Sequence, residues 1–216
     1  MPINTVIWDF NGTLLDDVQV SCDILNGMLL DHGYPPIGGI CEYKSIFGFP
    51  IEDYYKRAGF DFERHSFEAL ADVYMGEYKR LSGKCTLQKG AQKVLQTLRE
   101  RGVRQIVLSA SPRELLVSQI KDLGISEFFD TVLGLDNIFA KSKIEMGRAW
   151  IEQNNMPCKA IMIGDTTHDY DTALAIGAEP VLYAGGHQPF DVLCSTGARV
   201  IRELEEILQL NCAAQR

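Results

Sequence analysis

The sequence lacks a long apolar run and has no excess of basic charge. No stretch reaches the roughly 18 apolar residues that a membrane span needs, and we expect no secretory signal, because no basic segment followed by an apolar one opens the chain. With 29 acidic and 21 basic residues, the net charge is −8. This balance argues against a general binder of nucleic acid or membrane surfaces, since both need a basic face. It is compatible with an anionic substrate, because a metal ion can reverse the sign of one site.

Cysteine pairs with a recognisable spacing are also lacking. The chain has six cysteines, and none lies in a C-x-x-C pair or at the spacing of a zinc finger. Free, mostly buried thiols in a reducing compartment explain these residues best. We therefore expect a cytoplasmic protein.

Helical periodicity dominates the sequence up to about residue 85. Apolar residues recur at helical spacing over residues 17–32 and 66–81, and a further helix is predicted through Tyr54 and Tyr55. After residue 85, short apolar strands alternate with helices. The predicted strands are 5–9, 106–108, 131–133, 160–163 and 181–183. Later predicted helices include 143–154, 172–176 and 202–210.

This alternation predicts an α/β fold. Right-handed βαβ units would build a doubly wound parallel sheet with helices on both faces. The helical stretch interrupts the alternation directly after the first strand, which indicates an insertion. We therefore predict an α/β core formed by residues 1–15 and 86–216, and an all-helical cap domain formed by residues 16–85.

Three of the predicted strands deliver a polar residue at their carboxyl ends. Asp9 ends the first strand, Ser109 follows the second, and Asp165 follows the fourth. Ligands of open parallel sheets bind beyond the carboxyl ends of the strands. We therefore expect these side chains to share one site.

A further carboxylate strengthens the case for a metal ion. Asp169 lies four residues after Asp165, and both would lie beside Asp9, which costs electrostatic energy unless a positive charge intervenes. A hard divalent cation is the natural solution, and Mg²⁺ fits it best. The alternative is that Asp169 or Asp171 caps a helix. We favour the capping role for Asp171 and the metal role for Asp165 and Asp169.

Groups suited to binding an anion lie near the same strand ends. Ser111 is predicted as the N-cap and Pro112 as the first residue of a helix, whose free N–H groups would face the anion. Ser109 would add a hydroxyl donor or, alternatively, only close a turn. Either Lys143, which we favour, or Lys141 would neutralise a phosphoryl group, unless it is an ordinary surface lysine.

Taken in order, these residues resemble the motifs of the haloacid dehalogenase superfamily of phosphatases. The motifs are Asp9-x-Asn11-Gly12-Thr13-Leu14, Ser109, Lys143 or Lys141, and Gly164-Asp165-x-x-x-Asp169. The helical insertion resembles the small cap of the phosphoglycolate-phosphatase-like branch. Phe47-Gly48-Phe49-Pro50 resembles the cap turn that reaches toward the substrate in that branch. The resemblance covers nearly the whole chain.

The resemblance implies a Mg²⁺-dependent phosphatase acting on a small phosphorylated metabolite. Asp9 would attack phosphorus and form an aspartyl-phosphate, which water then hydrolyses. Thr13 would support the loop that carries the nucleophile. The implied metal ligands are Asp9, the backbone carbonyl of Asn11, Asp165 and Asp169. The implied phosphate-binding groups are Gly12, Ser109, Ala110 and Lys143.

Asn11 departs from the pattern of this family. Its phosphatases carry an aspartate there, which protonates the leaving group and later activates the water. An amide cannot exchange that proton, and positioned acid–base groups typically contribute about 10²–10⁴-fold in rate. We predict intact binding of metal and phosphate with impaired turnover. Asp16 and Asp17 receive little weight as substitutes, because both lie past the turn.

Three other interpretations remain open. The dehalogenating branch works without a metal and has neither the Gly-Asp-x-x-x-Asp spacing nor the Gly-Thr turn, so it ranks low. A phosphonate-cleaving enzyme would use a Schiff-base lysine in the cap, for which Lys44 or Lys56 would have to serve. The third interpretation is a phosphate-ligand or protein-binding protein with weakened catalysis.

The histidines and the cap aromatics are expected to have mostly structural roles. The four histidines form no predicted metal site. His168, inside the fourth motif, would contact solvent or substrate, whereas His32, His65 and His187 are expected to be ordinary surface or turn residues. The cap aromatics are expected mainly in its core, with Phe49 as the best candidate for a pocket.

Overall fold

The computed structural model describes residues 3–135, 142–154 and 160–210, and the candidate Lys141 lies outside them. The strands are β1 (Thr5–Trp8), β2 (Leu15–Asp16), β3 (Thr86–Leu87), β4 (Arg104–Pro112), β5 (Thr131–Leu135), β6 (Ala160–Gly164), β7 (Glu179–Tyr183) and β8 (Arg199–Ile201). The helices are α1 (Val18–Asp31), α2 (Ile40–Ile46), α3 (Ile51–Ala58), α4 (Phe67–Leu81), α5 (Ala91–Glu100), α6 (Arg113–Asp122), α7 (Lys143–Gln153), α8 (Thr167–Ile176) and α9 (Phe190–Ser195).

The central sheet has six parallel strands in the order β5-β4-β1-β6-β7-β8. β1 lies in its interior, between β4 and β6. Val6 and Trp8 pack on one face of the sheet and Ile7 on the other, because successive side chains of a strand point to opposite faces. Both faces of β1 are buried, so neither face needs polar side chains. This explains the uniformly apolar sequence of the strand.

Helices cover both faces of this sheet. On one face, Leu98 of α5 and Leu116 of α6 share a core with Trp8. On the other, Trp150 of α7 and Ile176 of α8 pack against the side of Ile7. The predicted doubly wound α/β fold is therefore confirmed.

Helices α1 to α4 form an inserted helical cap with a hydrophobic core of its own. Side chains buried in that core include Leu25, Leu29, Tyr43, Tyr55 and Leu70. The chain passes between sheet and cap through a short antiparallel ribbon in which β2 pairs with β3. The ribbon lies at both predicted ends of the insertion, and the boundaries 16–85 stay a prediction.

The start of α6 differs from the prediction. Ser111 is not the N-cap, and Pro112 is not the first helical residue. Instead β4 continues to Pro112, which is itself the N-cap of a helix beginning at Arg113. A register shift after Leu108 carries the strand past its predicted end. The Ser111 hydroxyl donates to Asn11 Oδ1 at 2.7 Å, so it serves the loop after β1 instead of a helix end.

Polar or very short segments account for the other differences. α8 begins at Thr167 instead of the predicted Thr172, because Thr166 and Asp169 cap it within a polar stretch. Residues 204–209 form a 3-10 helix where the sequence predicts an α-helix over 202–210. The elements α2, α9 and β8 have too few residues for their apolar pattern to reveal them.

Two further sequence expectations concern membranes and thiols. Within the described residues, none of the helices combines the length and apolar character that crossing a membrane requires. Cys22, Cys41, Cys85 and Cys194 are free thiols. The expectation of mostly buried thiols is wrong for Cys41 and Cys194, which are exposed. The cytoplasmic location stays a prediction.

A buried amide ties the sheet to α5. Gln105 Oε1 accepts from Trp8 Nε1 at 3.1 Å, and its Nε2 donates to the Leu95 carbonyl at 2.8 Å. Gln105→Leu leaves both partners unpaired inside the core, so we expect the free energy of unfolding in urea to fall by about 1–3 kcal/mol for each group. The control Gln96→Leu, on the exposed side of α5, should change it by less than about 0.5 kcal/mol. Equal losses in the two variants would contradict this assignment.

Candidate active site

Three aspartates from separate elements meet beyond the carboxyl ends of β1 and β6. Asp9 follows β1, Asp165 follows β6, and Asp169 lies in the first turn of α8. All three side chains are buried, and one oxygen of each lies within 4.8 Å of the others. The structure thus brings together the carboxylates that the sequence predicts at one site.

Lys143 supplies the positive charge within this carboxylate cluster. Its Nζ donates to Asp9 Oδ1 at 2.5 Å and to Asp169 Oδ1 at 2.6 Å, and its side chain is 3% exposed. Lys143 is the first residue of α7, whose start is fixed by a capping box between Ser142 and Glu145. The alternative of an ordinary surface lysine is therefore wrong for Lys143.

The electrostatics of the cluster leave room for a further cation. Burial raises the pKa of Asp9 to about 8; Lys143 opposes this rise, while Asp169 and Asp165 add to it. Burial likewise raises the pKa of Asp165 to about 6. Burial disfavours the charge of Lys143, but Asp169 and Asp9 outweigh it and raise its pKa above the usual value. Three carboxylates and one ammonium leave a surplus of negative charge, so the donor set fits Mg²⁺.

Asp169 has two structural tasks. Its Oδ1 accepts from Lys143, while its Oδ2 accepts from the backbone N–H of Asp165 at 3.1 Å and from Thr166 N–H and Oγ1 at 3.0 and 2.7 Å. The carboxylate therefore caps α8 and also belongs to the cluster, so the two roles considered from the sequence coexist. Gly164 is required here, because an added Cβ would lie 2.2 Å from Asp169 Cβ.

The loop after β1 orients Asp165. Thr13 Oγ1 donates to Asp165 Oδ1 at 2.8 Å, and the backbone N–H of His187 donates to Oδ2 at 2.6 Å. Gly12 has a φ of +73°, and a Cβ there would lie 2.4 Å from Asp165 Oδ2. Gly12 is predicted to bind phosphate, but its N–H donates to Asp17 Oδ1 at 2.8 Å.

The Asn11 amide is held from both ends. Its Nδ2 donates to the Tyr78 hydroxyl at 2.6 Å and to Asp17 Oδ2 at 3.0 Å. Its Oδ1 accepts from Ser111 Oγ at 2.7 Å and, more weakly, from Ser109 Oγ at 3.4 Å. The N–H groups of the amide point to a carboxylate and to a tyrosine hydroxyl, and its oxygen accepts from two serine hydroxyls. This pattern fixes the orientation of the amide. An aspartate here would instead place a second carboxylate against Asp17.

Sequence reasoning missed the ion pair of Asp17 and His187. The prediction that His187 is an ordinary surface or turn residue is wrong, because it is buried. His187 Nε2 lies 3.3 Å from Asp17 Oδ1, and its Nδ1 bonds to the Tyr43 hydroxyl at 2.8 Å. Burial alone would lower the pKa of His187, but the charge of Asp17 raises it to about 9, with Asp165 and Asp9 contributing. His187 follows β7, so the strand-end rule applied to that strand would have found it.

A cavity of about 360 Å³ lies between the cluster and the cap. Asp9, Asn11 and Lys143 line its floor, and Ser109 and Ala110 line its wall. The residues predicted to bind metal and phosphate therefore face one space, apart from Gly12. Their roles in binding stay a prediction.

The cap lines this cavity with aromatic side chains. Phe49 stacks on His168 with ring centroids 4.5 Å apart, and Phe47 stacks on His187 at 4.7 Å. Tyr54 and Tyr55 also line the space. The expectation that the cap aromatics lie mainly in its core is therefore incomplete, since several of them also line the cavity.

Neither cap lysine considered for Schiff-base chemistry lines this cavity. Lys44 Nζ donates to the Gly185 carbonyl at 3.4 Å. Lys56 is exposed on α3 and pairs with Glu52 and Asp53. Lys143 is the lysine that lines the cavity among the residues the structure describes.

Comparison with known proteins bears on the family and the fold of this chain. Residues 6–182 match the family described as haloacid dehalogenase-like hydrolase. The chain is similar to a phosphoglycolate phosphatase of Rhodobacter capsulatus, at 28% identity over 87% of this chain and 88% of the relative. It is also similar to the pyrophosphatase PpaX of Halalkalibacterium halodurans, at 27% identity over 78% of each chain. The crystal structure of a predicted phosphatase from Clostridium acetobutylicum has a TM-score of 0.80 at 22% identity, over 97% of this chain and 100% of that one.

The match over residues 6–182 identifies the class of protein: this chain belongs to the haloacid dehalogenase-like hydrolase family. The resemblance inferred from the four motifs is therefore confirmed, together with the hydrolase class that it implies. The likeness to the Clostridium structure supports the fold alone.

Removal of the Lys143 ammonium tests the charge balance of the cluster. Lys143→Met should lower the free energy of unfolding by about 3–5 kcal/mol at neutral pH without divalent ions, because buried carboxylates lose their partner. The deficit should shrink as the pH falls. Carboxyls whose folded pKa is raised stabilise the native state when protonated, and this stabilisation is lost as the pH rises through that pKa.

Lys121→Met provides the control for this measurement. Lys121 is exposed on α6, and its replacement should change stability by about 0.5 kcal/mol or less. Equal deficits for the two variants, or a Lys143→Met deficit that grows as the pH falls, would refute the proposed charge balance.

Proposed function

We propose that this protein is a Mg²⁺-dependent hydrolase of a small phosphorylated metabolite, acting through an aspartyl-phosphate on Asp9. The observation that carries the proposal is the buried cluster of Asp9, Asp165 and Asp169 with the Lys143 ammonium, in a cavity that the cap also lines. Membership of a hydrolase family supports it, and so do the phosphatase and pyrophosphatase names of two similar proteins.

Asp9 is the nucleophile of this mechanism. Lys143 holds its Oδ1, which orients the carboxylate and presents Oδ2 to the phosphorus atom. A bond forms between Oδ2 and phosphorus while the bond from phosphorus to the leaving oxygen breaks. Because burial raises the pKa of Asp9, the nucleophile needs positive charge beside it to remain ionised.

The metal ion and the phosphoryl group would occupy the floor of the cavity. Asp9, Asp165 and the backbone carbonyl of Asn11 would hold Mg²⁺. Asp169 would steady the ion directly or through water. When bound, the ion supplies charge that offsets the phosphoryl oxygens and helps to ionise the nucleophile. The hydroxyl of Ser109, the backbone of Ala110 and the Lys143 ammonium would bind the phosphoryl oxygens.

Asn11 limits the proton transfers in this reaction. Its N–H groups bond to Tyr78 and Asp17. An amide N–H donates hydrogen bonds but is not acidic enough to protonate a leaving oxygen. Release of the leaving group and hydrolysis of the aspartyl-phosphate should both be slow. Binding is unaffected, since residue 11 would contribute its backbone carbonyl to the metal. The same observation favours a second candidate function, a phosphate-ligand-binding protein with weakened catalysis.

The metal site can be tested by thermal unfolding with and without Mg²⁺. A ligand that binds only the folded state stabilises it by about 2.7 kcal/mol at a concentration of 100 times Kd. Asp165→Asn should lose most of this gain, because a neutral amide replaces a charged ligand. Asp171→Asn, an exposed position on α8, is the matched control and should keep the full gain. An equal response of the two variants would exclude Asp165 as a ligand.

The role of residue 11 can be tested by exchanging it with its neighbour. Asn11→Asp alone places two carboxylates side by side, next to the Tyr78 hydroxyl. Their repulsion favours protonation of one of them. The double variant Asn11→Asp/Asp17→Asn restores a donor opposite an acceptor. We expect it to hydrolyse p-nitrophenyl phosphate with Mg²⁺ about 10²–10⁴-fold faster than the parent chain, and the single variant to gain less.

Asp9→Asn in each background is the control for this experiment. It should abolish the gain, which excludes contaminating phosphatases. In the parent chain, a mass increase of one phosphoryl group after addition of acetyl phosphate should persist longer than in the double variant. If neither variant exceeds the parent rate although both keep the thermal stabilisation by Mg²⁺, residue 11 does not limit turnover, and the binding function is favoured.

A further inference from the structure

The cap side of the cavity differs in character from its floor. It is lined by aromatic rings and other apolar side chains of α3, α4 and the turn before α3. Phe49, Tyr55, Phe67 and Met75 are among them. A ligand whose phosphoryl group lies at Asp9 would therefore extend its other end into an apolar, largely aromatic space.

The charged side chains that line the cavity determine which class of substrate it can accept. Among the described residues that line the cavity, arginine is absent and Lys143 is the sole lysine, already bonded to Asp9 and Asp169. The Asp17 carboxylate also lines the cavity, but His187 balances its charge. A carboxylate or second phosphoryl group on the organic part of a substrate would be buried without an unpaired cation among the described lining residues, which is unfavourable.

The two histidines that line the cavity do not change this balance. His187 is paired with Asp17 and stacked on Phe47. His168 is stacked on Phe49 with ring centroids 4.5 Å apart. Both rings are therefore engaged by aromatic side chains of the cap.

One buried hydroxyl on this side also indicates a ligand. Tyr54 lines the cavity and is 3% exposed, yet its hydroxyl has no hydrogen-bond partner among the described residues. The neighbouring Tyr43 hydroxyl is bonded to His187. Buried polar groups are nearly always paired, so an atom of a bound molecule is the natural partner for Tyr54.

We propose that the substrate is a phosphomonoester whose leaving group is uncharged, flat and largely apolar, such as an aryl group with one polar substituent within reach of Tyr54. This inference rests on the proposed function, because it takes the phosphoryl group to lie beside Asp9. A cavity of about 360 Å³ suits a small molecule of this kind. A leaving group that carries a carboxylate or a second phosphoryl group would bring a negative charge into an apolar space whose described lining residues offer no unpaired cation.

Calorimetric titration with three stable ligands in the presence of Mg²⁺ tests this proposal. Phenylphosphonate presents an aromatic ring, phosphonoacetate presents a carboxylate, and inorganic phosphate reports on the phosphate site alone. None of them needs turnover, so Asn11 does not affect the comparison. Phenylphosphonate should bind about tenfold tighter than phosphonoacetate, because it buries apolar surface without burying an unpaired charge.

Two substitutions on α4 locate the effect. Ala71 lines the cavity, and Ala71→Leu should lower the ratio of the phenylphosphonate and phosphate affinities by about fivefold, because the added methyl groups fill the space for the ring. Val73 is exposed on the same helix, and Val73→Leu should leave the ratio unchanged.

The outcomes separate this inference from the function on which it rests. If phosphate binds but phosphonoacetate equals or exceeds phenylphosphonate, the substrate class is wrong and the phosphate site stands. If none of the three ligands binds, the phosphate site itself is wrong. If Ala71→Leu and Val73→Leu change the ratio equally, the aromatic group does not lie in this cavity.

Discussion

The balance of charge at the carboxyl edge of the sheet is the constraint on which the site depends. Three buried carboxylates lie within 4.8 Å of one another, and such a cluster is unstable without positive charge. Lys143 meets part of that need by contacting Asp9 and Asp169 together. Its place is set by the capping box that starts α7, so the geometry of a helix end determines where the nucleophile is held.

Strand ends were the most informative feature of the sequence for this site. The rule that ligands bind beyond the carboxyl ends of parallel strands led to Asp9, Ser109 and Asp165, which line one cavity. The same rule covers His187, which follows β7 along the chain. Asp17 is harder to predict, because the tight turn at Gly12 folds the chain back and a residue past the turn bonds to the Gly12 N–H. The spacing of residues along the sequence does not indicate this contact.

Periodicity predicted the long elements and failed on the short ones. α1 and α4 show an apolar face over several turns, and their positions follow from the sequence within a residue or two. By contrast β2 and β3 have two residues each, and they pair only because the cap brings the two ends of the insertion together. The early start of α8 depends on capping by Thr166 and Asp169, a signal carried by polar residues that an apolar pattern does not register.

The loop after β1 and the cap form one connected network of hydrogen bonds. Tyr78 of α4 bonds to Asn11 and Asp17, and Tyr43 of α2 bonds to His187. Asn11 Nδ2 and the Tyr78 hydroxyl both donate to Asp17 Oδ2, so the chemical nature of residue 11 is tied to its neighbour Asp17 and to the cap. Tyr78 and Tyr43 therefore connect α4 and α2 to the loops after β1 and β7. The site that the structure describes includes the cap as well as the edge of the sheet, because cap side chains fix the orientation of residue 11.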